Sequence, residues 1–148
     1  VLELVGLFLV GLLAGEEFAV RWGVQPALRR LEDRAHIDAR MSLVRRLMII
    51  VPALMVPAVL AGVAVLMFTG SGAGFAFRCA GVATLAAFLL LSFLGTVPIN
   101  IKVNDTWSAE SPPADWRDVV ARWERIDTFR AGAAILAFAL FLVAAALG

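Results

Sequence analysis

Residues 122–148 read RWERIDTFRAGAAILAFALFLVAAALG: nine positions with five ionised side chains, then 18 with none. An uncharged apolar run of about 18 or more residues is long enough to cross the hydrocarbon core of a bilayer as a helix. Two further runs meet that length, Leu47–Phe68 with 22 residues and Cys79–Ile101 with 23. A fourth, Val1–Phe18, is interrupted by Glu3, Glu16 and Glu17. Hydrophobic residues make up 61% of the 148 and the mean hydropathy is +0.89, whereas a soluble domain is about 45–50% apolar. The predicted fold is therefore all-α, a four-helix transmembrane bundle. Its helices cover about 1–22, 42–68, 76–105 and 116–147 within one integral membrane domain, 1–148. The first segment lacks a basic leader and ends in two carboxylates, so it reads as a retained helix rather than a signal peptide.

The charges are strongly localised. The first connection carries Arg21, Arg29, Arg30, Arg34, Arg40, Arg45 and Arg46, and the third carries Lys102, Arg117, Arg122, Arg125 and Arg130. The second, TGSGAGFAF, carries none, and Arg78 follows it alone. By the positive-inside rule the basic connections face the cytoplasm, which places both termini outside and suits a bacterial inner membrane. In the first connection Pro26 opens a helical pattern with Leu28, Leu31, Ala35 and Ala39 near one stripe, predicting a short interfacial helix or an extension of its flanking helices. Pro52 and Pro57 predict a bend in the second helix. Ser111-Pro112-Pro113 breaks the third connection, and Asp115 is the expected N-cap of a helix starting at Trp116.

Charge at membrane depth costs several kcal/mol, so each polar group there is a functional candidate. Three helices offer such groups at one level: Glu16, Glu17 and Arg21; Asn100, Asn104 and Trp107; and Trp123, Asp127 and Arg130. The last two sets are spaced i, i+4, i+7, which gathers each on one helix face, with Thr96 a turn above Asn100. Convergence of this kind suits a site between helices. Each group also has a plainer reading. Glu17 and Arg21 can form a local ion pair, Asn100 and Asn104 can tie helices together, and the tryptophans can anchor at the membrane interface, Trp116 most clearly. Glu16 lies about 100° around the helix from Glu17, which predicts that only one of the two faces the bundle. Arg122 and Arg125 read as solvated, while Arg130, two turns deeper, needs a partner such as Asp127, Glu16 or Glu17.

Several chemistries lack their residues. There is no dinucleotide or nucleotide-phosphate loop. His36, in the arginine-rich connection, is the sole histidine and reads as exposed; Cys79 is the sole cysteine, and tyrosine is absent. Those counts remove a hydrolase triad, a multi-histidine metal or haem site and an internal disulfide. No cofactor is evident and no metal site is expected, leaving His36 with carboxylates as the one open possibility for an ion. A net charge of +1 gives no argument for nucleic acid binding, and no nucleic acid partner is expected.

Three stretches, GEEFAVRWGVQPALRRL (15–31), TVPINIKVNDTW (96–107) and DWRDVVARWERIDTFR (115–130), together resemble the anthrone oxygenase-like family of small four-helix membrane proteins. The shared elements are a helix-one carboxylate before a Pro-Ala-Leu step, a Pro-x-Asn at the exit of helix three, and an Arg-Trp pair ahead of an Arg in helix four. The resemblance covers nearly the whole chain and implicates Glu17, Pro98, Asn100, Asn104, Arg122, Trp123 and Arg130. It implies oxidation of an anthrone to an anthraquinone by molecular oxygen, as in some fungal relatives. Asp127 departs from the His or Asn that relatives carry there, which puts any histidine chemistry at that position in doubt.

The expected function is thus a membrane oxidoreductase acting with molecular oxygen on a lipophilic phenol, anthrone or quinol. Glu17 and Asp127 would be candidate bases and Arg130 a stabiliser of negative charge. Asn100, Asn104, Trp107 and Trp123 would contact the substrate. Expected partners are the bilayer, a lipophilic small molecule and a homo-oligomer or larger membrane complex. The alternative is a non-catalytic bundle serving as a structural or accessory subunit, with a small transporter as a third reading.

Overall fold

Four long helical segments and three connections account for the chain in the computed structural model, which describes every residue, Val1–Gly148. Segment α1 comprises Leu2–Phe18, a π-helical stretch Ala19–Val24 and a last turn Gln25–Leu28. Segment α2 is Asp33–Phe68. Segment α3 joins Phe75–Leu91, a second π-helical stretch Ser92–Thr96, and Val97–Thr106. Segment α4 is Trp116–Leu147. Segments α2, α3 and α4 are long and apolar enough to cross a membrane. The 17 residues of Leu2–Phe18 rise about 26 Å, short of a bilayer's core of about 30 Å.

The two π stretches share a local cause. Each carries a glycine next to its last residue and a proline two residues past its end: Gly23-Val24-Gln25-Pro26 in α1 and Gly95-Thr96-Val97-Pro98 in α3. A proline has no N–H to donate, and its ring collides with the carbonyl four residues earlier. Widening the preceding turn to i→i+5 spacing relieves that collision while the helix stays continuous. The glycine in α3 has a second role. A Cβ on Gly95 would lie 2.7 Å from Cγ2 of Ile126, so only glycine lets α3 and α4 approach this closely. Gly95→Ala is expected to cost about 1–3 kcal/mol by overpacking, read as a lowered Tm, and Ile126→Ala in the same chain should restore most of it.

Segment α1 packs along α2 and α4, and α3 packs along α4. Two apolar cores result. One holds Val10, Leu13, Met55, Ala58, Leu85, Phe88, Ala134 and Phe141. The other, at the arginine-rich end, holds Val20, Ile37, Val44, Ile99, Val103, Trp107, Trp116 and Trp123. Between them lies a polar layer formed by Glu17 of α1, Ser92 of α3, and Asp127 and Arg130 of α4, with only apolar residues of α2 at that level. At the far end Arg78 is fully buried, pairs with Glu3 at 3.2 Å and donates to the carbonyl of Gly70 at 3.0 Å. Gly70 takes a left-handed backbone, φ +78°, which glycine adopts without steric cost.

Of the two readings of the first connection, extension of the flanking helices is the one that the structure shows, and other expectations there are overturned. No separate interfacial helix forms there: the flanking segments extend until only residues 29–32 separate them, and α2 begins at Asp33 instead of near 42. The stripe Leu28, Leu31, Ala35, Ala39 is not the packed face, since Leu31 and Ala35 are exposed. The buried face is His36, Ile37, Arg40, Val44 and Leu47. His36 was expected to be exposed, but it and Arg40 bury against partners of their own. Trp116, expected as an interfacial anchor, is likewise buried, its ring 5.3 Å from that of His36. Asp115 precedes α4 as expected, without a side-chain capping bond.

Candidate functional site

Arg130 is the hub of the polar layer. Its i, i+3 neighbour Asp127 shares its face of α4, and two other segments each bring one partner, Glu17 from the end of the regular helix of α1 and Ser92 from the start of the π stretch of α3. Nη2 donates to Glu17 Oε1 at 2.8 Å, Nη1 to Asp127 Oδ1 at 3.4 Å and Nε to Ser92 Oγ at 3.0 Å. The guanidinium also lies 4.9 Å from the centroid of Phe88, a cation–π contact that substitutes for lost hydration. The Ser92 hydroxyl in turn donates a hydrogen bond to the carbonyl of Phe88 at 2.8 Å. All four groups are buried, Glu17 and Asp127 to 1% exposure.

The hub is over-supplied with acceptors. Three carboxyl groups, Glu16, Glu17 and Asp127, surround one guanidinium, and an oxygen of each (Glu16 Oε2, Glu17 Oε2, Asp127 Oδ2) is buried without a hydrogen-bond partner. Buried polar atoms are normally satisfied, and an unmet one costs about 1–3 kcal/mol. Glu16 and Glu17 both line the same cavity, against the expectation that 100° of helix would separate them. Glu16, at the edge and half-buried, reaches round from the neighbouring position.

That cavity has a volume of about 300 Å³ and lies between α2 and α3, with α1 and α4 behind it. Its α2 wall includes Leu47, Val51, Pro52 and Met55. Pro52 donates no N–H, so the carbonyl of Met48, also on this wall, loses its helical partner. The rim residues Met48, Val56, Phe93 and Ile101 are 38%, 51%, 57% and 47% exposed, so the mouth opens sideways through apolar side chains on membrane-crossing segments.

A single hydrogen bond sets the opposite polarity in the same cavity. Trp123 Nε1 donates to Asn100 Oδ1 at 2.7 Å. An indole N–H can only donate, so the amide orientation is forced and Asn100 Nδ2 is left as a free donor. The cavity thus combines unpartnered carboxyl oxygens with one free amide N–H₂.

Of the residues singled out in the sequence, Glu17, Asp127, Arg130, Asn100 and Trp123 meet around this cavity, and Asn104 and Trp107 do not. Asn104 accepts from Arg45 Nε at 3.3 Å and donates to Asp105 at 3.1 Å, one turn past Asn100. Trp107 leaves the helix with an extended backbone, ψ 143°, which breaks the i+7 stripe, and it buries in the tryptophan core with its N–H unpartnered. The expected Glu17–Arg21 pair does not form. Arg21 donates to Thr128 Oγ1 at 2.6 Å and Glu17 goes to Arg130. Arg122 and Arg125 are exposed.

Sequence reasoning missed a second polar cluster beside the first. Arg40 donates through Nη2 to Gln25 Oε1 at 2.7 Å and through Nε to His36 Nε2 at 3.2 Å, and lies 3.4 Å from Glu124. Glu124 also accepts from Arg29 at 2.6 Å, and this bond with its paired charge holds the Arg29 guanidinium above its ordinary pKa. The available signal was the i, i+4 pair His36 and Arg40 opposite Glu124, one position from Trp123. No group of three or more His, Cys, Asp or Glu side chains is disposed to hold a metal ion.

Residues 41–140 match the family model described as anthrone oxygenase, two thirds of the 148 positions. The chain belongs to the anthrone oxygenase family. No curated protein and no solved structure matches it. The anthrone oxygenase match takes in Ser92, Asn100, Trp123, Asp127 and Arg130. Glu16, Glu17, Gln25 and Arg40 come from before it and complete both polar clusters.

Proposed function

We propose that the cavity takes a flat, lipophilic anthrone or phenol sideways from the bilayer and oxidises it with molecular oxygen. The observation that carries this reading is the pairing, in one apolar laterally open cavity, of unpartnered carboxyl oxygens with the free amide of Asn100. An anthrone presents matching groups, an acidic ring CH₂ and a carbonyl conjugated with it. Family membership supports the same class of chemistry.

In this reading the substrate carbonyl accepts a hydrogen bond from Asn100 Nδ2, and Glu17 or Asp127 takes a proton from the CH₂ as general base. The charge that develops on the substrate oxygen is stabilised by the amide, which is already oriented by Trp123. Arg130 holds the carboxylates in place. Oxygen adds at the deprotonated carbon, a C–O bond forms, and the proton returns from the carboxyl group to give a hydroperoxide. Loss of the second C–H proton to the carboxylate breaks the O–O bond and expels hydroxide, which is reprotonated to water. One oxygen atom becomes the new carbonyl and the other leaves as water, so anthrone and O₂ yield anthraquinone and H₂O. Asn104 and Trp107 do not touch substrate in this scheme.

The test is anthraquinone formation by purified protein in lipid nanodiscs under isotopically labelled dioxygen. One labelled oxygen per quinone, at a rate well above that of empty nanodiscs, is the expected result. A rate equal to that of empty nanodiscs would sink the reading and favour a structural or accessory role.

A further inference from the structure

The cluster of Gln25, His36, Arg40 and Glu124 lies outside the cavity, yet one ring connects the two. The guanidinium of Arg40 sits 5.3 Å from the centroid of Trp123, and Nε1 of that tryptophan makes the bond to Asn100. Arg40 is itself 2% exposed and is fixed by groups on three segments: Gln25 on α1, His36 on its own α2 and Glu124 on α4. A guanidinium held this way cannot slide along the indole face.

We infer that Arg40 is a positioning residue for the site: by clamping the ring of Trp123 it fixes the indole N–H, which in turn fixes the Asn100 amide with its donor free for the ligand. The chain of contacts is short and each link is directional. Cation–π attraction holds the ring's plane, the donor-only indole selects the Asn100 oxygen, and the remaining amide edge has one role left. Gln25 reaches Arg40 because the π stretch before Pro26 carries α1 past the cavity to Leu28. The sequence feature Gly-x-x-Pro at 23–26 therefore acts on the site through Arg40. Lysine would keep the charge and lose both the planar contact and the fork that Gln25 and His36 accept.

This inference rests on the proposed function only for its effect on turnover; its structural content is testable without a substrate. The experiment follows solvent exchange of the Trp123 indole N–H by NMR in nanodiscs, with the signal assigned by its loss in Trp123→Phe. The wild-type N–H should be protected, and Arg40→Lys should speed its exchange by about tenfold or more while the fold is retained. Arg40→Met serves as a second variant should lysine distort the layer. An unprotected wild-type indole, or exchange unchanged in every folded Arg40 variant, would overturn the inference whatever the activity. In the oxidation assay, Arg40→Lys should lower kcat/KM about tenfold in the wild-type chain and leave it unchanged in the Trp123→Phe chain, as coupled neighbours do. A merely structural Arg40 gives additive losses, which would also overturn it. Faster exchange in a protein that oxidises nothing sinks the oxygenase reading and leaves the positioning role standing.

Discussion

Arg130→Leu is expected to be the most damaging single substitution in the chain, lowering stability by about 3–5 kcal/mol and abolishing turnover. The size follows from what remains. Glu17 and Asp127, each 1% exposed, would lose their shared cation, and the Ser92 hydroxyl would lose its donor. Removing one partner of a buried ion pair leaves the other charge unmet, which costs more than the pair contributes. Thermal unfolding in detergent measures it. A Tm within a degree or two of wild type would mean that the carboxyl groups do not depend on Arg130. Arg122→Leu, at an exposed position four residues from Ile126 on the same segment, should change the Tm little.

The second large effect falls on Asn100. Asn100→Leu is expected to reduce kcat by about 10²–10³, the range seen when one preorganised donor to a developing oxyanion is removed. Stability should fall far less, since the cost is one unmet indole N–H, about 1–3 kcal/mol. Asn100→Asp separates the two roles of the side chain. It keeps an acceptor for Trp123 Nε1 but removes the amide donor, so it should retain the fold and lose most of kcat. Steady-state kinetics on both variants check this, and an Asn100→Asp protein with wild-type kcat would show that the amide does not donate in the transition state.

Helix number and the level of the polar layer were legible because both depend on local physics. Uncharged runs of membrane-crossing length mark the helices, and i, i+4, i+7 spacing marks a face. The same rule marked Trp123, Asp127 and Arg130 as one stripe, and the structure gathers all three at the cavity. Elsewhere regular spacing misled, and the places are instructive. The stripe Asn100, Asn104, Trp107 fails at Trp107 because the helix ends at Thr106, and at Asn104 because its amide bonds Arg45 and Asp105. Glu16 and Glu17 share a cavity although an ideal helix turns them apart. His36 was expected to be exposed in the arginine-rich connection, but it and Arg40 are buried there. Charge alone cannot tell a solvated arginine from one paired across the molecule, because Gln25 and Glu124 are 15 and 84 positions from Arg40. The two Gly-x-x-Pro steps were visible as letters, and only the packing of α1 and α3 gives them meaning as π turns.

The central claim is that a buried carboxyl group beside Arg130 takes the substrate proton in a cavity open to lipid. It is tested most directly by the anthrone oxidation rate of a Glu17→Gln, Asp127→Asn double variant beside wild type in the same nanodiscs. The amides keep size and oxygen acceptors for Arg130 but leave Glu16 as the one carboxyl in the cavity, so the fold should survive with a lowered Tm. The expected result is a folded protein whose rate is lower by about 10²–10⁴, the contribution of a positioned general base. A folded double variant that oxidises anthrone at the wild-type rate would contradict the account.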